Sequence, residues 1–439
     1  MQARFAPSAI WAHLRSTYWF LPSVITLACM GLALGLTVVE RNMWDRDALP
    51  AWLTSGGSDG ARQMLAAVAG SMITVVSVTF SVTIVALTVA SQHFGPRLLN
   101  SFMRDTSAQA VLGIFIGTFA YCLVVLRTVR GDGDEYERFI PHVGVTTALA
   151  LSLVSVGALI YYIHHVAASL QVSEIARRVS RDLLRSIDRL YPQQLGDDAE
   201  APENPPAVPE GAVEILSTGS GYVQRVEPDQ VFELAREAAL VLWLSIRPGD
   251  FATEGLPLAL AHPPPANPEQ FTKALNAALV LGTDRTSDQD AGLEWQQLTE
   301  VTLHALSTGM NEPFTALTCI DRVGEGFARL VTRRVPSALR ADERGQVRVI
   351  TRRHRFPELL DEAVDPIRAH AGGSPEVGKH LLVLLGRLAQ LAHGDEDRAA
   401  IRRQGELVKD SMERWLKDGS YGEQIENLYR VVQHATRPV

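Results

Sequence analysis

Apolar residues follow two regimes along this chain. In the first third they run in long blocks, and beyond that they recur at helix or strand spacing between polar neighbours. Four blocks, at residues 19–39, 64–90, 110–126 and 143–163, carry no Asp, Glu, Lys or Arg. Each is long enough to cross the hydrocarbon core of a bilayer, so the pattern predicts four transmembrane helices. The first runs on into Glu40-Arg41-Asn42 and lacks a small-x-small cleavage site, which predicts an uncleaved anchor.

The second block is not uniformly apolar. Gln63, Gly70, Thr74, Ser77, Ser81, Thr88 and Gln92 fall on one narrow face when advanced at about 100° per residue. Ile84 and Val85 form its one apolar break, and Thr79 and Thr83 lie opposite. A polar stripe along a membrane helix is expected to face something other than lipid. Two readings stand. The hydroxyls serve helix packing, bonding a neighbour or their own backbone; or the stripe is a water-exposed pore face of an oligomer, with Ile84 and Val85 as a hydrophobic constriction. On the second reading the lining candidates are Thr74, Ser77, Ser81, Ile84, Val85, Thr88 and Gln92.

Two G-x-x-x-G pairs, Gly31/Gly35 and Gly113/Gly117, predict close helix packing. The spans hold no ionisable group of the kind that proton-coupled transporters and voltage sensors use. Arginines before the first span (Arg4, Arg15), after the second (Arg97, Arg104) and after the fourth (Arg177, Arg178, Arg181, Arg185, Arg189) predict that both termini are cytoplasmic. The opposite loops carry Asp45, Asp47, Asp59, Asp132, Asp134, Glu135 and Glu137, either solvated or gathering cations at a pore mouth.

After the fourth span, Val172, Ile175, Val179, Leu183, Ile187 and Leu190 continue an apolar stripe opposite an arginine face suited to anionic headgroups. The fourth span is therefore expected to continue as one helix to Leu190. His164 and His165, adjacent and pointing apart, read as an interface anchor. A Pro- and acid-rich linker follows. Residues 213–216 and 222–225 then read as strands around a Ser-Thr-Gly-Ser-Gly turn, with a short helix at 228–237 and a strand at 240–246. The turns Arg247-Pro248-Gly249-Asp250-Phe251 and Gly255-Leu256-Pro257-Leu258 make residues 212–262 resemble a barrel-sandwich hybrid, the fold of lipoyl and biotinyl carriers. The block contains no Lys to hold such a cofactor. Beyond it, helices are predicted at 268–281, 293–306, 313–332, 357–370, 375–393, 396–417 and 422–434, with a small hairpin at 338–351.

Composition narrows the chemistry. The 439 residues carry a net charge of −8, which does not favour nucleic acid as a partner. Lys occurs only at Lys273, Lys379, Lys409 and Lys417, and the three cysteines are scattered without disulfide or zinc spacing. Residues 373–380 nearly match a P-loop. However, His380 replaces the magnesium-binding hydroxyl and Glu376 would repel phosphate, so the run reads as one helix end and the next helix start. Asp284, Asp288 and Asp290 around Arg285-Thr286 would suit a divalent cation or simple capping. The break Ser307-Thr308-Gly309-Met310-Asn311-Glu312-Pro313 reads as capping or a ligand contact through Asn311 and Glu312. No nucleophile–base grouping emerges, so no enzyme activity, metal or cofactor is expected.

Several of these segments occur in a fixed order: Phe80-Ser81-Val82-Thr83 with Ala90-Ser91-Gln92-His93-Phe94-Gly95-Pro96-Arg97, Ser220-Gly221-Tyr222-Val223-Gln224, Arg247-Pro248-Gly249-Asp250, Arg285-Thr286 with Gln289-Asp290, and Gly309-Met310-Asn311-Glu312-Pro313-Phe314-Thr315-Ala316. In this the chain resembles, over nearly its full length, the bacterial predicted-membrane-protein family labelled domain of unknown function 2254. It departs from the pattern at Thr308 and Glu312, where the family has Pro and Asp. The resemblance implies a multi-span N-terminal domain and a cytoplasmic C-terminal domain, and no activity.

The expected architecture is an α-helical membrane protein (residues 1–165, four transmembrane helices), a juxtamembrane helix (166–191), a linker (192–211), and a cytoplasmic α+β region. That region comprises a small β barrel-sandwich-like module (212–262) and an α-helical bundle (263–439). The expected function is an oligomeric ion channel or pore of the bacterial inner membrane with a regulatory domain. The alternative is a non-conducting, membrane-anchored sensor or scaffold. Expected partners are the bilayer, further copies of the chain, and a small ion or anionic lipid headgroup. Ligand-binding candidates are Arg285, Thr286, Asp288, Asp290, Asn311 and Glu312. A membrane enzyme would require the Asp284–Asp290 and Asn311–Glu312 segments to converge.

Overall fold

The computed structural model of the protein describes residues 19–43, 57–94, 105–131, 139–169, 171–191, 206–307, 309, 312–333, 336–371, 374–415 and 421–437. The chain forms two compact units, Met1–Gln171 and Val172–Val439.

The first unit holds the four predicted spans as α1 (Phe20–Met43), α2 (Ser58–Phe94), α3 (Thr106–Thr128) and α4 (His142–Ser169), each long and apolar enough to cross a membrane. With 37 residues α2 is about 55 Å long, well beyond what a bilayer core requires. Helix α3 is the centre: 56% of its apolar window is buried by protein, against 11–17% for the other three. Its glycines explain how closely α1 approaches. A Cβ on Gly113 would lie 2.9 Å from Ile25 Cδ1, and one on Gly117 would lie 2.8 Å from Cys29 Sγ. The second G-x-x-x-G pair differs, since Gly31 and Gly35 meet nothing within 4 Å.

Several polar groups inside this bundle bond to one another, which a hydrocarbon surrounding favours, while the buried Thr79 hydroxyl has no partner among the described residues. Thr118 and Ser155 hydroxyls meet at 3.1 Å between α3 and α4. The Tyr121 hydroxyl donates to Gly144 O at 3.0 Å, and the Tyr162 hydroxyl to Thr79 O at 3.2 Å while also meeting Thr83 Oγ1. At one end the buried Glu40 accepts the Val143 and Gly144 N–H groups at 3.1 and 3.4 Å, a carboxylate from α1 capping the N-terminus of α4. At the other end Asp105 caps α3 through Ser107 N–H at 2.9 Å and pairs with His165 Nε2 at 2.6 Å. His165 thus ties α4 to α3, whereas His164 is exposed.

The second unit begins with α5 (Val172–Leu190). Here the expectation of one continuous helix is corrected: α4 ends at Ser169, Gln171 is non-helical, and α5 is a separate element. The reason lies in the surfaces. Helix α4 is mostly apolar around its circumference, whereas α5 buries only Ile175, Val179, Leu183, Ile187 and their neighbours against other helices of its own unit.

Two sheets follow. Strands β1 (Val213–Leu216), β2 (Gly221–Val226), β3 (Val241–Leu244), β4 (Phe251–Ala252), β5 (Pro257–His262), β6 (Leu279–Gly282), β7 (Leu339–Ala341) and β8 (Val347–Ile350) form a five-stranded sheet β1-β5-β3-β8-β7 and a three-stranded sheet β4-β2-β6. Among the described strands only β3 and β8 pair in parallel. Helices α6 (Pro228–Glu237) and α7 (Pro268–Ala277) join them, and Val223, Val231, Leu242, Leu258 and Leu275 share the core. The β region is therefore not complete at residue 262, because β6, β7 and β8 come from later sequence. Strands β1 and β2 belong to different sheets, so the turn between them does not close a hairpin. The helix expected over 268–281 ends at Ala277, and Leu279–Gly282 extends to pair with β2.

Among the described residues, six further helices follow in this unit: α8 (Gly292–Leu306), α9 (Pro313–Leu330), α10 (Phe356–His370), α11 (Pro375–Leu391), α12 (Asp395–Trp415) and α13 (Gly422–Ala435). Trp295 stacks on Phe327 with centroids 4.7 Å apart, and Phe327 meets Phe356 edge-on at 5.7 Å, joining α8, α9 and α10. The P-loop-like run is a packing device. Ser374 precedes the first residue of α11, Gly378 lies against Met412, Lys379 sits over Tyr421, and His380 pairs with Asp321.

The α1–α3 contact gives a direct prediction. Gly117→Val should lower the stability of the detergent-solubilised protein by about 1–3 kcal/mol, read as a lower thermal midpoint. Gly31→Val, in open space, should leave the midpoint near wild type.

Candidate functional site

The side chains of the predicted α2 stripe lie on the outer face of the four-helix bundle. Gln63, Gly70, Thr74, Ser77, Ser81, Ile84, Val85 and Thr88 are exposed, whereas Leu65, Ala69, Met72 and Thr79 are buried on the opposite face. The Gln92 side chain lies outside the described residues. Each stripe hydroxyl donates to the carbonyl four residues earlier: Thr74 to Gly70 (3.2 Å), Ser77 to Ile73 (2.9 Å), Ser81 to Ser77 (2.9 Å) and Thr88 to Ile84 (2.9 Å). Of the two roles suggested for these hydroxyls, bonding a neighbouring helix of the same chain does not occur here. That role falls to Thr83, through Tyr162. With each proton committed to the backbone, the hydroxyl oxygens keep their remaining lone pairs for acceptance. The outer surface of α4 differs, presenting Leu149, Leu153, Val154, Val156 and Ile160.

Of the acidic loops, Asp59 is exposed at the start of α2; Asp45, Asp47, Asp132, Asp134, Glu135 and Glu137 lie outside the described residues.

In the second unit, the loop between β6 and α8 separates the three aspartates rather than gathering them. Asp284 and Asp288 are exposed, and Asp290 is wholly buried. One Asp290 oxygen accepts from Arg285 Nε at 2.8 Å and lies 2.7 Å from a terminal guanidinium nitrogen. The other accepts the Gly292 N–H at 3.0 Å, at the N-terminus of α8. A Cβ on Gly249 would sit 2.5 Å from this carboxylate, so glycine in the Arg247–Asp250 turn is what lets the two loops touch. The remaining Arg285 donor reaches Gln296 at 2.6 Å. Asp290 is thus occupied by a cation from its own loop, and the described residues contain no cluster with metal-ligand geometry.

Glutamines fix the loop in place. Gln289 accepts Val226 N–H at 2.9 Å and donates to Val226 O at 3.1 Å, imitating a strand partner at the end of β2. Gln224 donates to Asp284 O at 2.7 Å, and Thr286 Oγ1 to Gln224 O at 3.4 Å. Three sequence segments singled out above, around Gln224, Arg247 and Arg285–Asp290, therefore meet at one place. The fourth does not. Glu312 sits past the far end of α8, about 22 Å away along that 15-residue helix, with its N–H on Ala305 O and its carboxylate accepting from Thr315. Asn311 lies outside the described residues. The acidic loop and the Glu312 turn do not form a common pocket.

Two groups beside Asp290 were not apparent from spacing. Arg247, with a side chain only 8% exposed, bonds Glu358 at 2.7 Å and lies 3.6 Å from Glu362 and 3.7 Å from Asp250. His354 Nε2 lies 3.6 Å from Asp290, and the Tyr191 hydroxyl donates to His354 O at 3.2 Å. The basic run Arg352-Arg353-His354-Arg355 was the available signal for this segment. Burial, then the nearby Arg247, lower the His354 pKa, so the ring is neutral at neutral pH.

Next to this network Glu294 of α8 faces α5. Ser186 Oγ donates to it at 2.8 Å, and its second oxygen is buried without a partner. Burial, which the Ser186 bond opposes and the charges of Asp290 and Asp182 reinforce, pushes its pKa up from 4.5 to about 7.

Comparison with known proteins places the chain among membrane proteins. The family model described as "Predicted membrane protein (DUF2254)" matches residues 15–387. Uncharacterised proteins of Mycobacterium bovis and Mycobacterium tuberculosis are each 32% identical to it over 416 residues, covering 94% of this chain and 79% of theirs. No solved structure matches the chain.

Two predictions follow from the buried carboxylates. Asp290→Ala leaves Arg285 largely buried without its counter-ion and should cost about 3–5 kcal/mol in chemical denaturation. For Glu294, the folded state alone holds the proton between pH 4.5 and about 7. Its contribution to stability therefore falls as pH rises through that window, by at most about 1.4 kcal/mol per pH unit. Glu294→Gln should flatten the thermal midpoint over that range and raise it above pH 7.

Proposed function

We propose that this chain, which belongs to the DUF2254 family of predicted membrane proteins, forms an oligomeric channel in which α2 of each subunit lines the path. The observation that carries this reading is the direction of the stripe. Its polar residues face away from the other described helices of their own bundle. Polarity along one edge of α2, interrupted at Ile84 and Val85, contrasts with the apolar outer surface of α4 and supports a non-lipid environment for that edge.

On this reading the path selects for cations. The hydroxyl protons of Thr74, Ser77, Ser81 and Thr88 are held by backbone carbonyls, so the oxygens turn acceptor lone pairs outward and replace part of an ion's hydration shell. Ile84 and Val85, both exposed, form the constriction. The proposed setting is the inner membrane with both termini cytoplasmic, and the second unit regulates the path. One observation favours a non-conducting sensor or scaffold instead: with their protons already satisfied, the same hydroxyls are tolerated against lipid.

Reconstitution in liposomes separates the two. The channel reading expects cation flux above protein-free vesicles, reduced at least tenfold by Ser81→Leu and unaffected by Val82→Leu. Wild-type flux at background removes the channel and leaves the scaffold.

A further inference from the structure

Beside the Arg247–Pro248 turn of the second unit is a cavity of about 270 Å³, unrelated to α2. Its wall is mostly apolar, formed by Leu190, Tyr191, Val226, Leu244 and Ile246. Among the described residues its charged lining is all of one sign: Arg247, Arg340, Arg352 and Arg353 contribute to it, and no Asp or Glu does. We propose that this cavity binds a small organic phosphate, a phosphoryl group attached to an apolar or aromatic body.

The charges argue for an anion. Arg247 is matched by Asp250, Glu358 and Glu362, which hold its guanidinium in place from outside the cavity lining. Among the described residues, Arg352 is exposed and pairs with no carboxylate, and Arg340 donates to the Ser337 and Leu339 carbonyls. An apolar cavity rimmed by such guanidinium groups is stabilised when an anion enters, because each planar fork presents parallel donors at oxygen spacing.

A second, independent feature points to a ligand. The His354 side chain is 9% exposed and lines the same cavity, and among the described residues neither ring nitrogen has a hydrogen-bond partner, Nε2 lying 3.6 Å from Asp290. Buried polar groups are normally satisfied. A neutral imidazole offers one donor and one acceptor, which suits a phosphate oxygen or a hydroxyl of the bound molecule. Tyr191 bonds the His354 carbonyl, which fixes the backbone that carries the ring.

A phosphate fits better than a carboxylate. One carboxylate is satisfied by a single arginine fork, whereas a doubly charged phosphoryl group takes donors from several directions. Inorganic phosphate alone would leave the apolar wall unfilled, and burial of an organic body there adds to affinity in proportion to the area covered.

Isothermal titration of the full-length protein in detergent tests this, with phenyl phosphate, benzoate and inorganic phosphate as probes. Saturable binding of phenyl phosphate is expected, at least about tenfold tighter than either other probe. Arg352→Gln, at an exposed position, should weaken it about tenfold while leaving the ligand-free thermal midpoint unchanged; Arg340→Gln should also weaken binding. Absence of saturable phenyl phosphate binding overturns the proposal, as does equal affinity for benzoate or inorganic phosphate. Unchanged affinity in Arg352→Gln overturns it too, since binding would then lie elsewhere.

Discussion

A polar hydrogen in hydrocarbon must find its acceptor inside the protein, and the membrane unit is arranged around that requirement. Where side chains face inward, the acceptor comes from a neighbouring helix, as with Thr118 and Ser155 or Tyr121 and Gly144. Where they face outward, on α2, it comes from the same helix one turn earlier. The second solution lets a helix carry a polar edge on its outer surface. The first ties α4 to α2 and α3, while Glu40 joins the end of α1 to the start of α4.

The second unit meets the corresponding constraint for charge. Asp290 is wholly buried, and its position is tolerable because Arg285 and the first turn of α8 surround it with positive potential. Gly249 makes the site possible by leaving room for the carboxylate, and Gln289 and Gln224 hold the loop against β2. These contacts join the sheets to the helices through one loop. The arginines of the neighbouring cavity are anchored on the same framework, Arg247 by the acids of α10 and the adjacent turn.

Much of this was legible in the sequence, for identifiable reasons. The four spans follow from length and absence of charge, and all four appear as helices, with α2 beginning at Ser58 rather than 64 and α4 ending at Ser169 rather than 163. Gly113 and Gly117 read correctly as packing residues, whereas Gly31 and Gly35, the same pattern, face open space, because spacing alone does not say which face is inward. The long α9–α13 helices were visible from periodicity. The small hairpin expected at 338–351 is present as β7 and β8, but the sheet arrangement was not legible, since β6 pairs with β2 and β8 with β3, each distant in sequence, and local pattern carries no pairing information. Likewise three aspartates close in sequence suited either a cation or simple capping; strand-like anchoring by Gln289 turns Asp290 inward, where it accepts the Gly292 N–H at the start of α8, and leaves the other two in solvent.

The central claim is that the α2 stripe meets water rather than lipid. The most direct test is the reactivity of single cysteines in native membranes toward a charged, membrane-impermeant thiol reagent. Ser77→Cys and Ser81→Cys should be modified rapidly, and Val78→Cys and Val82→Cys, exposed on the adjoining edge, should not. Equal lack of reactivity at all four positions would contradict the account and return the stripe to the lipid-facing surface of a non-conducting protein.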